Sequence, residues 1–182
     1  MPNWCNNSIT ITGPVETVKQ LWEDAKTAHE GEFGLLSAMS PMPRALNDTV
    51  ADGSEGMNWY NWRVSNWGTK WDVSDEGLEF IDNGDGTACI TGWFDSAWAP
   101  PIEAYNTFLD DMDNCSLEAS YYEPGMDFGG FYQNGDDICF EDLQSLLEQP
   151  TDEWSEEFSA FEVEYDLLSE EWRFEEEEVE LD

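Results

Sequence analysis

Positive charge is what this sequence has least of: 182 residues hold 6 Lys and Arg and one His against 42 Asp and Glu, for a formal net charge of −36 at pH 7. Self-repulsion of that size keeps a chain soluble and opposes contact with phosphate backbones or anionic lipid, so neither nucleic acid nor membrane is expected as a direct partner, and a basic protein is. The single histidine, His29, lies near the end of an amphipathic stretch, where a helix-dipole contact or simple exposure explains it better than catalysis. Cys5, Cys89, Cys115 and Cys139 are widely spaced and form no C-x-x-C pair, so a zinc or haem site lacks ligands and neither metal nor cofactor is expected. Their apolar and strand-like surroundings predict buried free thiols in a reducing cytoplasm. No apolar run approaches the ~20 residues that span a bilayer, and no charged-then-apolar leader opens the chain.

Acid and tryptophan are what the chain has in excess. Residues 1–71 carry 8 acids and 5 bases, residues 72–135 carry 14 acids and no base, and residues 136–182 carry 20 acids and 1 base. Four of the 10 tryptophans fall between Trp59 and Trp71, beside Arg63 and Lys70. Such a cluster is either a stacking platform for single-stranded nucleic acid or a small satellite core. The charge weighs toward the core: rings packed on the sheet face opposite the helices, with Arg63 and Lys70 neutralising nearby carboxylates.

Periodicity predicts the elements. Ile9 and Ile11 alternate with Ser8, Thr10 and Thr12 in a half-buried strand. Pro14 then opens a helix whose apolar face is Val15, Val18, Leu21, Trp22 and Ala25. Residues 31–76 show no sustained period and read as an insertion held by its own tryptophans. The turn Asp82-Asn83-Gly84-Asp85-Gly86 joins two strands; as a calcium loop it would need acids where Ile81 and Gly92 stand. Pro100-Pro101 opens a second helix, and Leu117, Ala119 and Tyr121 mark a fourth strand. This β-α-β-β-α-β order predicts an α+β, ferredoxin-like split βαβ antiparallel sheet over residues 1–135. A further hairpin around Asn134-Gly135 extends it. An acidic extension, 136–174, packs on that domain, and residues 175–182 form a disordered acidic tail. In the extension, Trp154, Phe158, Phe161, Tyr165, Leu168 and Trp172 follow a 4-3-4-3-4 spacing that favours a helix, although the alternation over 161–167 also suits a strand.

Met1-Pro2-Asn3-Trp4-Cys5-Asn6-Asn7, the stretch from Trp59 to Asp72, Phe94-Asp95-Ser96-Ala97-Trp98-Ala99-Pro100-Pro101, and Tyr122-Glu123-Pro124-Gly125-Met126-Asp127-Phe128-Gly129-Gly130 occur in order. Together they resemble the YubB-type phage and plasmid proteins. The resemblance covers roughly residues 1–135 and implies a ferredoxin-like domain and a mobile-element origin. It supplies no activity and no catalytic residue, and no enzyme is expected.

The acidic extension then becomes the candidate site. Asp136, Asp137, Glu141, Asp142, Glu148, Asp152, Glu153, Glu156, Glu157, Glu162 and Glu164 fall on predicted folded elements, where carboxylates can imitate the phosphates of a duplex. Trp154, Phe158 and Phe161 are candidate aromatic anchors, to the core or to a partner. The expected function is a non-enzymatic phage-type inhibitor of a basic nucleic-acid-binding host or defence protein, acting in the bacterial cytoplasm. The alternatives are an assembly module in which the aromatic seam pairs with another copy or a partner helix, and single-strand binding through the Trp-rich insertion.

Overall fold

The first strand sets the register of the whole sheet. In β1 (Trp4–Pro14), Cys5, Asn7, Ile9 and Ile11 are buried on one face, while Trp4, Asn6, Ser8 and Thr10 turn to the other. A computed structural model, which describes residues 3–28, 32–51, 53 and 56–169, pairs this strand on both sides. The six strands are β1, β2 (Leu78–Asp82), β3 (Thr87–Ala97), β4 (Ser116–Glu123), β5 (Phe128–Gln133) and β6 (Asp136–Glu141), in the order β2-β3-β1-β4-β5-β6 with every pairing antiparallel. The first four strands have the split βαβ order, and the predicted hairpin turn at Asn134-Gly135 adds β5 and β6 at one edge. The proposed boundary at residue 135 therefore falls inside a hairpin, and residues 136–141 belong to the sheet.

Two helices start where proline ends the preceding segment: α1 (Val15–Ala25) after Pro14, and one at Ile102–Asp111 after Pro101. Val18, Leu21 and Ala25 from the first, and Ala104, Tyr105 and Phe108 from the second, pack with Ile9, Ile11, Ile90 and Leu117 into the main core.

The insertion contains α2 (Leu35–Met39) and α3 (Trp59–Trp67); the helix at Ile102–Asp111 is then α4. The expectation for the insertion's side of the sheet is corrected here. Leu35, Leu36, Met39 and Trp67 join the main core, so this part of the insertion widens the helical layer, while Trp71 reaches Trp4 on the opposite face. Trp67 is fully buried and donates its indole N–H to the Ser40 carbonyl at 2.7 Å, which removes the cost of burying that group. Local signals bound α3. The Asn58 side chain accepts the Asn61 backbone N–H at 2.9 Å, and Gly68 closes the helix in the left-handed region (φ 87°). The Asp72 carboxylate ties the two ends together, accepting from the Leu36 and Ser37 backbone N–H groups, each at 2.9 Å, and from the Ser37 hydroxyl at 2.6 Å.

The opposite face is covered at one end by the C-terminal elements α5 (Leu143–Leu147) and α6 (Glu156–Tyr165). Leu143, Phe158, Phe161 and Leu167 form a second core against Tyr122, Phe131 and Phe140 of the outer strands. A Cβ at Gly129 would stand 2.2 Å from the Phe161 ring, so only glycine lets that ring lie on the strand backbone. The helical alternative holds for this segment and the strand over 161–167 does not form: Ser155 caps the helix at the Phe158 N–H (3.0 Å), and Val163 points to solvent. His29, Trp172 and the tail 175–182 lie outside the described residues. Among the cysteines only Cys5 is buried, its thiol pushed up to about 12 by desolvation. Cys89 and Cys115 are partly exposed and Cys139 is exposed, because edge strand β6 has no neighbour beyond it.

Candidate functional site

Edge position and helix facing decide where the acidic residues point. Asp136, Asp137 and Glu141 stand on β6, Asp142 and Glu148 flank α5, Asp152 and Glu153 sit in a 3₁₀ turn (Thr151–Glu153), and Glu156, Glu157, Glu162 and Glu164 are on α6. All are exposed except the half-buried Glu162. From Asp136 to Ser169 there are 12 acids and no base, so nothing within this layer neutralises it.

The carboxylates do not form one array. Asp136, Glu157 and Glu164 line a groove of about 580 Å³ between α6 and the sheet, whose floor includes Ser8, Thr10, Glu118 and Gln133. The strand alternation sends Asp137 to the helical side, where it accepts the Tyr121 hydroxyl at 2.7 Å. Burial and that carboxylate push the Tyr121 phenol up, so it remains a donor. Glu164 accepts from the Ser120 hydroxyl, which also lies 3.1 Å from Tyr165 Oη. Asp142, Glu148, Asp152, Glu153 and Glu156 do not line the groove.

The three candidate anchors are spent inside the molecule. Phe158 and Phe161 are buried, the Phe161 ring meeting Phe131 and Phe140 at centroid distances of 5.7 and 5.4 Å. Trp154 stacks edge-on against Phe158 at 5.1 Å and donates its indole N–H to the Leu146 carbonyl at 2.9 Å. They fix the acidic layer to its own sheet, and the seam's inner side is already covered.

Arg63 and Lys70 also depart from expectation. Instead of pairing with carboxylates, they lie on indole faces: the Arg63 guanidinium stands 5.3 Å from the Trp59 ring centroid and 4.8 Å from that of Trp67. Lys70 Nζ is 4.0 Å from the centroids of both Trp71 and Trp98. Among the described residues the ion pair formed is Lys26 with Glu23, at 2.7 Å. Desolvation lowers the Arg63 pKa, and Asp72 opposes that shift.

A second concavity, which sequence reasoning missed, lies at the other end of the same sheet face. Trp4, Trp71 and Trp93 line a pocket of about 330 Å³ with Asp72, Glu76 and Asp95. Trp4 and Trp71 are in ring contact at 5.8 Å. The available signal was the alternation itself: Trp4 and Trp93 occupy outward positions of β1 and β3, where a half-buried strand ordinarily places polar residues.

The strand order and the shared helical face define an α+β protein with a ferredoxin-like arrangement, extended at one edge and covered by α5 and α6 over one end of the second face. No family model and no curated relative matches the chain. Among solved structures it is similar to the crystal structure of a protein api92 from Yersinia pseudotuberculosis, of family model DUF1281, at 19% identity and a TM-score of 0.41. The similarity covers 58% of this chain and 38% of that one, so the chain spans well under half of that protein's length.

Proposed function

We propose that this chain is a non-enzymatic inhibitor of mobile-element origin that occupies the nucleic-acid groove of a basic host or defence protein. The carrying observation is the cation-free layer from Asp136 to Ser169: 12 carboxylates on folded elements that the second core pins to the sheet. A solubility tail needs no such anchoring. Fixed carboxylates lose little freedom on binding and meet Lys and Arg side chains that otherwise hold phosphates, giving fast, salt-sensitive association. The resemblance to YubB-type proteins supports the mobile-element setting, and the bacterial cytoplasm suits it. Among the described residues no helix is long and apolar enough to cross a membrane.

Affinity capture from bacterial lysate, run at low and at high salt, tests the proposal. A basic nucleic-acid-binding protein should be retained at low salt, released at high salt, and displaced by duplex DNA. Retention of no such protein, or retention indifferent to salt, would overturn it.

A further inference from the structure

Among the described residues four tryptophans remain substantially exposed, and they gather at one place: Trp93 at 56%, Trp4 at 47%, Trp71 at 39% and Trp98 at 38%. Exposed indoles cost free energy, and a patch of them marks a recognition surface. Trp4, Trp71 and Trp93 line the smaller pocket described above; no Lys or Arg does, whereas Asp72, Glu76 and Asp95 do. The Asp72 carboxylate is occupied by the Leu36, Ser37 and Val73 backbone N–H groups. Glu76 and Asp95 are exposed, and among the described residues Asp95 accepts from the Asn6 side-chain amide, at 3.3 Å.

The walls are built rather than fortuitous. A Cβ on Gly77 would stand 2.8 Å from the Trp93 ring and 2.3 Å from the Trp93 carbonyl, so glycine is what admits that ring against the chain. The Trp93 N–H donates to the Gly77 carbonyl at 3.0 Å, fixing the backbone beneath the ring. Trp98 holds a left-handed conformation (φ 71°) that non-glycine residues seldom adopt, and its ring joins Trp71 around the Lys70 ammonium. The protein's own lysine thus shows what these indoles attract: their negative faces bind a cation.

We propose that the Trp4–Trp71–Trp93 pocket receives an arginine side chain of a protein partner. Indole faces would stack the guanidinium plane while Glu76 and Asp95 accept its N–H groups. Arginine suits these walls better than lysine because its guanidinium is planar and weakly hydrated. The choice of a protein as the source rests on the reading of a basic partner. The pocket and the acidic groove open on the same sheet face, so one partner could reach both.

The test is a titration of the ¹⁵N-labelled full-length protein, in moderate salt, with acetyl-Gly-Arg-Gly-amide. Its controls are the citrulline peptide, which keeps the shape without the charge, and the lysine peptide. The indole N–H signals of Trp4, Trp71 and Trp93 should shift saturably with arginine, more weakly with lysine, and not with citrulline. Trp93→Ala should weaken binding about tenfold, the equivalent of one desolvated cation–π contact. Glu76→Gln, at an exposed position that does not endanger the fold, should weaken it by roughly half that factor. No shift at these indoles, equal shifts with citrulline, lysine binding as tightly as arginine, or binding unchanged in both variants would each overturn the proposal. The peptide result is independent of the lysate capture. An empty pocket beside a salt-sensitive basic partner removes the arginine site alone, and a working pocket without such a partner removes only the mimicry.

Discussion

The two sides of the sheet solve the same problem in opposite ways. On the helical side, around α3, cations are drawn in and laid on tryptophan rings: Arg63 on Trp59 and Trp67, Lys70 on Trp71 and Trp98. On the other side, α6 places its aromatics inward and leaves its charges at the surface, only Glu162 half-buried, with no base among residues 136–169. The contrast teaches that a scarce base here is worth more as packing than as a counter-ion. An exposed ion pair contributes about 1 kcal/mol or less, whereas a partly desolvated guanidinium on an indole adds hydrophobic contact to a comparable electrostatic attraction. It also separates scaffold from surface, since the same helix that carries the acids hides the rings holding it down.

Breaking the inward half of α6 has the largest expected effect. Phe161→Ala removes a fully buried ring from contact with Phe131, Phe140 and Tyr165 and should cost about 3–5 kcal/mol in urea unfolding. The loss should appear first as faster amide exchange over residues 143–167. Next comes Trp67→Phe, which leaves the Ser40 carbonyl without its indole donor and should cost about 1–3 kcal/mol by the same measurement. Arg63→Met keeps much of the stacked volume and removes a partly desolvated charge, so its stability should stay within about 1 kcal/mol of the parent. A loss well beyond that would mean Arg63 acts through charge after all. Smallest is Glu156→Gln with Glu157→Gln, which should change unfolding by no more than about 0.5 kcal/mol while measurably slowing association with a captured partner. If that pair of changes unfolds the protein, the outer acids are structural and the division between the two sides fails.

Much of the sheet was legible before the structure. The alternation at Ile9 and Ile11, the prolines before α1 and α4, and the Asp82–Gly86 and Asn134-Gly135 turns act locally, so each declares itself in a few residues. What covers each face was not legible. Leu35 and Leu36 belong to a helix of five residues, too short to show a period, and α3 carries rings on several sides, so its amphipathic signal is weak. Its caps, Asn58 and Gly68, were not read either, since without a visible period between them they mark no helix. At the candidate site the sequence located the acids but not their directions: Asp137 and Glu164 are engaged by Tyr121 and Ser120, partners distant in sequence that no local pattern announces. The tryptophan pocket escaped for the same reason, since Trp4, Trp71 and Trp93 meet only after β1 and β3 pair in their particular register.

The Asp72 clasp turns the insertion into a cassette. One carboxylate fastens the stretch it closes to the first turn of α2, so the span from Ser40 to Asn58 begins and ends on fixed ground. Lengthening a flexible loop between fixed ends costs little, about 0.6 kcal/mol for each doubling. The exposed positions Asp48, Val50 and Ala51 can therefore be exchanged or extended without disturbing the sheet. A chain built this way can vary its outline while its frame stays the same.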